Sequence, residues 1–496
     1  MKLGNKHLHI YFSDELVNVF KIMVEKINKY LPFVAMALFC YLTLKNGVFS
    51  GRPCLEDEAH AWTIAAHVNI FQLIDLMKVE GHFLIWYLCL MPFAKLNISF
   101  PYPMLFLNWI FCVAALSIMW WKAPFNNFLK LFITFSAPIL AIYAIHARCY
   151  SIGFLFIFLA LSFYKERISH PYKYLTFLVL AANTNITMCV LSGVLGMIFV
   201  YDLIKNKTDR KVLDIIFTVV LLQLILLYFQ FHGTHIPDYN DWGIGMIKMP
   251  YFMKVFLGIE DFRVSAYLFK VILLRIAVVL FPVLLFKSKR AFIFYTCTVS
   301  IMLLFFSFVY TATFYHINLF YIISIVAYWI YQMEDVKDKR NNILIAVLFT
   351  LVSFGLMFAN LETDKGYLLG SRIILRDKNL NSAKLYTSIP PITFSVNLPI
   401  LENKNIYIYD LLGRNISYYE GLKTYYNEAL KFPDFDVMAE SLDKKKDNYM
   451  ILHFPLPNDF VRGLKYRMIT QKYNEYTYRQ HYKIYIYKIK DVVSAD

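Results

Sequence analysis

Charge is what this sequence has least of. Only 17% of its 496 residues are Asp, Glu, Lys or Arg, against 58% hydrophobic and 18% aromatic, and its mean hydropathy is +0.48. Soluble domains are about a quarter charged and somewhat under half apolar, so an ordinary soluble globule is excluded. Cysteine is scarce too. Six of the seven cysteines lie in or beside apolar runs and read as small buried hydrophobes, and Cys54 stands alone in a loop. No disulfide framework or zinc pattern follows from that spacing. No HExxH is present and no internal repeat is visible. No glycine-rich phosphate loop follows a strand-like run, so a nucleotide site has no support. The chain is polar up to about residue 30, which predicts no cleavable signal peptide and makes the first helix the insertion signal.

What the chain does have is apolar length. Runs of roughly 16 to 22 residues recur, enough to cross a hydrocarbon core of about 30 Å. Spanning candidates are 31–48, 103–121, 128–146, 149–164, 174–185, 187–204, 212–231, 264–286, 291–312, 316–333 and 341–360, with 83–98 ambiguous. The net charge of +15 gathers in short clusters between these runs, as the positive-inside rule expects, rather than in a nucleic-acid surface. The clearest are "YKERISHPYK" (164–173), "KNKTDRK" (205–211), "KSKR" (287–290) and "EDVKDKR" (334–340). All four face the cytoplasm only if 174–204 crosses twice, turning at "NTNIT" (183–187). The loop 51–82, the loop 232–263, Arg148, His316 and everything after 361 then lie outside, and 83–98 does not fully cross. The expected fold is a polytopic α-helical membrane domain over 1–360, with about 11–13 helices, and a small extracytoplasmic α/β domain over 361–496. In that tail, strand-like runs such as "NIYIYDLL" (405–412), "YMILHF" (449–454) and "HYKIYIYKI" (481–489) alternate with helical stretches such as 417–430.

The few ionisable residues off the basic clusters need a reason. "GRPCLEDEAHAWTIAAH" (51–67) follows the first apolar run. Asp57 reads as a helix N-cap, Glu58 as its dipole partner, and the helix as one that could lie on the membrane surface. A capping carboxylate there is also a well-held base, so the two roles are compatible. Glu56, His60 and His67 share a face at helical spacing, and a metal site is weighed, but no separate cluster offers a third ligand set. His82 follows a glycine at the exit of the same loop, and Arg148 and Tyr150 interrupt a long apolar stretch. A charge inside a membrane segment reads either as a functional group or as a snorkelling side chain. Lys270 and Arg275 lie inside the run 264–286, and Arg275 is too deep to snorkel easily. The outer face thus collects acids (Asp57, Glu58), histidines (His82, His316) and cations (Arg148, Lys270, Arg275). Cations that hold a phosphate leaving group, beside a carboxylate that takes a proton, suit group transfer from a phospholipid-like donor.

"DEAHAWTIA" (57–65), "GH" (81–82) before an apolar run and "ARCYSIG" (147–153) resemble the C-type (GT-C) glycosyltransferases. The resemblance is to the bacterial relatives of protein O-mannosyltransferases and aminoarabinose transferases (glycosyltransferase families 39 and 83), and it runs over most of the chain in order and spacing. "ANTNIT" (182–187) and "YHINLFYIISIVAYW" (315–329) are similar to segments of bacterial members. The resemblance implies Asp57 as catalytic carboxylate with Glu58 its companion, and His82, Arg148 and Tyr150 as substrate-binding residues; Lys270, Arg275 and His316 join the substrate-binding candidates from the charge reading above. "GHFLIW" lacks the two prolines of the family's GHPPL-like motif, and "FYH" (314–316) lacks an expected arginine. The resemblance further implies a polyprenyl-phosphate sugar donor, inversion at the anomeric carbon, no cofactor and no metal. The acceptor would be a glycan, lipid or protein, and the setting a bacterial cytoplasmic membrane with the site on its outer side. Two alternatives stay open. One is a surface-polysaccharide polymerase or ligase, in which Arg or His would dominate. The other is a transporter or flippase of a lipid-linked sugar, against which the absence of a repeat counts.

Overall fold

The computed structural model describes residues 14–52, 54–80, 82–96, 98–231, 280–308, 316, 318–334, 342–349, 369–388, 397–422, 435–452, 455–456, 460–463, 465–479 and 482–494. The loop 232–263, Lys270 and Arg275 lie outside the described residues, as do most of the runs 264–286 and 341–360 and the stretch 423–430.

The helical part runs in chain order as α1 (Asp14–Thr43), α2 (Glu56–His67), α3 (Ile70–Glu80), α4 (Leu84–Lys95), α5 (Tyr102–Lys122), α6 (Asn127–Thr134), α7 (Tyr150–Ser162), α8 (Pro171–Ala182), α9 (Ile186–Lys205), α10 (Arg210–Phe231), α11 (Lys289–Phe308) and α12 (Leu319–Met333). Five helices among the described residues are long and apolar enough to cross a membrane: Lys26–Val48, Tyr102–Lys122, Ile186–Lys205, Arg210–Gln230 and Lys289–Phe306. That is fewer than the 11–13 expected from apolar length. Several apolar stretches fold into helices of 12 to 15 residues instead, namely α4, α7, α8 and α12. At 1.5 Å per residue, such a helix spans only about 18–23 Å.

The run 128–146 shows why. Its helix, α6, stops at Thr134, and the chain re-forms as a wider π turn over Pro138–Tyr143. Ser136 Oγ donates to the Ile133 carbonyl at 2.7 Å, and Pro138 has no N–H with which to continue the ladder. The Tyr143 carbonyl left over accepts from Asn108 Nδ2 of α5 (3.0 Å) and from Ser151 Oγ of α7 (2.8 Å). The polar side chains of an apolar run thus break it deliberately. The chain then crosses residues 144–149 without a long helix before α7 begins at Tyr150.

The segment 174–204 does fold as two antiparallel helices. Asn185 Oδ1 caps α9 by accepting from the Met188 N–H at 3.0 Å, and Asn183 Nδ2 donates back to the Val179 carbonyl at 2.8 Å. Gly153 lets α7 approach this turn closely. A Cβ there would sit 2.6 Å from Met188 Cγ and 2.9 Å from Thr184 Oγ1.

An ionic clamp closes one end of the bundle. Arg167 Nε and Nη2 donate to Asp202 Oδ2 at 3.0 and 2.7 Å, while Arg290 Nε and Nη2 donate to Asp202 Oδ1 at 3.1 and 2.6 Å. Arg290 Nη1 also reaches Glu334 at 2.7 Å, and Ser288 Oγ donates to the other oxygen of that carboxylate at 2.7 Å. Asp202 is fully buried. The ends of four basic or mixed-charge connections therefore meet in one place. From this clamp α7, α9 and α12 each run to the opposite end, about 20–25 Å away at helical rise.

The C-terminal part contains a six-stranded sheet of β1 (Lys384–Thr387), β2 (Ile408–Asp410), β3 (Asn448–Leu452), β4 (Phe460–Arg462), β5 (Tyr466–Arg479) and β6 (Tyr482–Ser494), in spatial order β2-β1-β3-β6-β5-β4. β1 lies parallel to β2 and β3, and β3, β6, β5 and β4 pair antiparallel. The sheet buries its two faces in separate clusters, one around Leu385, Ile451 and Ile486, the other around Tyr386, Met450 and Tyr487. Short helices at 369–376, 398–402 and 435–441 accompany it. It docks on α2 and α3. His67 Nε2 meets Glu402 at 2.9 Å, the His67 ring lies 4.6 Å from that of Tyr418, Tyr419 donates to Asp75, and Leu422 enters the core around α2.

Candidate functional site

The site lies at the bundle end away from the clamp. It begins with α2, whose residues Glu58 to Ala65 are all buried. The helix therefore packs inside the protein, against α4 and the sheet domain, rather than presenting an open amphipathic face. Its N-cap is Leu55 rather than Asp57. Leu55 has no side-chain acceptor to offer, so the capping falls to Glu58 three residues on, which accepts from the Leu55 N–H at 2.5 Å. The placement leaves Asp57 free of capping and turned toward the segment 144–149.

Glu58 is fully committed. Its two oxygens take a bidentate pair from Arg52 at 2.6 and 2.9 Å, and Oε1 accepts the Ala147 N–H at 2.6 Å. Arg52 Nη2 in turn donates to the Ile145 carbonyl at 2.7 Å. Burial raises the pKa of Glu58, but the Arg52 guanidinium and these hydrogen bonds outweigh it and bring it to about 2. Glu58 is thus the pin that fastens the broken segment before α7 to the start of α2. Every strong acceptor position on it is used.

That pin aims Arg148. Its Nη2 lies 2.9 Å from Asp57 Oδ2 and 3.5 Å from His82 Nε2, and its guanidinium stands 5.4 Å from the centre of the Tyr150 ring. The Arg148 side chain is 10% exposed, while Asp57 keeps 43% of its side chain open. Arg148, ahead of the opposing effect of burial and with help from His82, His60 and His316, holds the Asp57 carboxyl below its ordinary range. Tyr150 Oη lies 3.2 Å from His316 Nε2, which brings the last sequence-predicted histidine into the same cluster.

His82 is held by backbone as well as side chain. It forms an isolated antiparallel bridge with Asn185, and the Ile85 N–H donates to the Asn183 carbonyl at 3.4 Å. Asn185 Nδ2 reaches the Cys149 carbonyl at 3.5 Å. The "NTNIT" turn therefore supports both His82 and the residue after Arg148. Burial, then Arg148, push His82 down to about 4, so it is neutral at pH 7 and acts as a hydrogen-bonding group rather than a cation.

Glu80 was not singled out from the sequence, although it stands two residues before His82. One of its oxygens meets His60 Nε2 at 2.8 Å, the other accepts from Tyr87 Oη at 3.2 Å, and its side chain is 5% exposed. Burial alone would lower His60, but the charge and hydrogen bond of Glu80 more than offset that and leave it raised. His60 and His67 thus take separate carboxylates, Glu80 and Glu402. No group of three or more His, Cys, Asp or Glu side chains fit to hold a metal ion occurs among the described residues.

The structure therefore brings Asp57, Glu58, His82, Arg148, Tyr150 and His316 to one end of the bundle and adds Arg52, His60, Glu80 and Asn185. The result is an open carboxylate paired with a nearly buried guanidinium, ringed by histidines and tyrosines. Such a pair can take up a proton at the carboxylate and hold an anion at the guanidinium. No protein-family model matches the chain, and a search of curated proteins finds no match to it.

Proposed function

We propose that the protein is a membrane glycosyltransferase of the GT-C kind, moving a sugar from a polyprenyl-phosphate donor to a hydroxyl-bearing glycan, lipid or protein acceptor at the outer face of a bacterial membrane. The observation that carries this reading is the Asp57–Arg148 pair, an exposed base and a buried cation 2.9 Å apart, assembled from sequence segments 91 residues apart. Arg148 binds the donor phosphate, for which its planar fork is suited. The acceptor oxygen attacks the anomeric carbon on the face opposite the phosphate. The carbon–phosphate-oxygen bond breaks, its electron pair stays on the phosphate, and the acceptor proton passes to Asp57. Charge building on the departing phosphate is stabilised by the guanidinium. Tyr150 and His316 stand beside the pair and hydrogen-bond the sugar, and neutral His82 orients Arg148. Glu58 acts through Arg148 and Asp57 as a positioning residue, because its oxygens are spent on Arg52, Leu55 and Ala147.

The test is lipid mass spectrometry. Purified protein is incubated with a total lipid extract of its host, with and without the host's envelope glycans. Consumption of a polyprenyl-phosphate sugar with release of free polyprenyl phosphate supports the reading. If no polyprenyl-phosphate species is consumed and a lipid diphosphate is consumed instead, the polymerase reading replaces it.

A further inference from the structure

The pair that carries the transferase reading also poses a problem for it. Asp57 is asked to take a proton, yet Arg148 holds its carboxyl below the ordinary range and so makes it a weaker base. Arg148 is asked to hold a phosphate, yet Asp57 already occupies it at 2.9 Å. In an inverting displacement the base and the leaving oxygen stand on opposite faces of the sugar. A guanidinium drawn onto Asp57 is therefore drawn away from the leaving phosphate.

We propose that Arg148 is a shared cation, which neutralises Asp57 in the resting protein and passes to the donor phosphate on binding, so that Asp57 becomes an effective base only when a donor is in place. This rests on the transferase reading. The surroundings favour a transfer of the side chain alone. The backbone on both sides of Arg148 is fixed, with the Ala147 N–H on Glu58 and the Cys149 carbonyl on Asn185. The guanidinium meets side chains: Asp57, His82 and the face of Tyr150. Asp57 is the exposed member of the pair and Arg148 the buried one, so an anion enters at the carboxylate's side and meets the guanidinium at the pair's edge. The other groups around Asp57 are the histidines His82, His60 and His316, whose pull on the carboxyl ranks behind that of Arg148. His82 is neutral at pH 7, and His60 is committed to Glu80.

Competition for one cation has a thermodynamic signature. Removing the competing carboxylate must tighten phosphate binding, and only while Arg148 is present. Full-length protein in nanodiscs is titrated calorimetrically with a short-chain polyprenyl phosphate, which carries no sugar and cannot react. Wild type, Asp57→Asn, Arg148→Lys, Arg148→Gln and the corresponding double variants with Asp57→Asn are compared. Asp57→Asn is expected to bind about tenfold tighter than wild type, within the usual range of coupling between sites. In either Arg148 background that gain is expected to shrink to within about twofold, and Arg148→Lys covers the case in which Arg148→Gln does not fold. Inorganic phosphate is titrated in parallel and is expected to bind far more weakly, which separates a lipid phosphate from free phosphate. If Asp57→Asn binds as wild type does or more weakly, the shared-cation inference is overturned while the transferase reading stands. The same holds if the gain persists without Arg148, because it is then a general effect of charge. If wild type binds no polyprenyl phosphate at all, the transferase reading itself falls.

Discussion

Replacing Glu58 with Gln separates a pin from a base, and its size can be worked from the structure. Glu58 has no exposed side-chain surface, and its partner Arg52 has 6%. The Arg52 guanidinium and the hydrogen bonds outweigh burial and bring the carboxyl to about 2 in the folded chain, below its ordinary 4.5, which corresponds to roughly 3 kcal/mol of stability at neutral pH. Breaking a buried ion pair by removing one partner costs about 3–5 kcal/mol by a separate route, so the two figures agree. Because the folded value is the lower one, this stability is complete above pH 4.5 and is lost as the pH falls from there toward 2. The loss is local. It should appear first in the amides that Glu58 holds, those of Leu55 and Ala147. Hydrogen exchange of peptides covering 53–58 and 145–149 should accelerate by about 10²-fold in Glu58→Gln, the factor that corresponds to about 3 kcal/mol, while peptides from the clamp end stay unchanged. An acceleration below threefold would refute the pin. So would normal exchange combined with lost activity, which is the behaviour of a base.

Three further perturbations probe the frame around the site. Asp202→Ala leaves Arg167 and Arg290 without their shared carboxylate and should cost about 3–5 kcal/mol; an unchanged thermal midpoint in detergent would contradict the clamp. Gly153→Ala puts a methyl group 2.6 Å from Met188 Cγ and should destabilise by about 1–3 kcal/mol through overpacking; a neutral or stabilised variant would show that α7 and α9 stand further apart. Glu402→Gln removes the carboxylate facing His67 and should speed tryptic cleavage within 369–422 while leaving the exchange of 145–149 as it was; equal acceleration of both regions would mean that the sheet and the site unfold together.

Much of the site was legible in the sequence because a membrane chain states its exceptions loudly. Asp57, His82, Arg148 and His316 stand out against apolar surroundings, and the structure gathers all four. The antiparallel pair α8 and α9 was legible from the polar "NTNIT" and from the need to put two basic loops on one side. The number of spanning helices was not. Hydropathy counts apolar length, but Ser136 and Pro138 divide one apolar run, and α7 and α12 are apolar without being long. Glu80 and Arg52 were missed because each looks like an ordinary loop charge until folding buries it against His60 or Glu58. The Asp57 cap failed for a local reason: Glu58 already serves the Leu55 N–H. In the tail, 405–412, 449–454 and 481–489 each contain a strand. β1 and β4 are only four and three residues long and carry little pattern.

The central claim is that Asp57 takes a proton during sugar transfer. The most direct measurement is mass spectrometry of cell-surface glycans in a deletion strain, complemented by wild type or by Asp57→Asn at matched membrane levels. The substitution keeps shape and removes the base, and positioned proton transfer contributes about 10²–10⁴-fold to rate. With 43% of the Asp57 side chain open, the variant should still fold, and its thermal midpoint is measured alongside to separate lost activity from lost protein. The account predicts that wild type restores a defined sugar and that Asp57→Asn restores almost none. Full restoration by Asp57→Asn would contradict it.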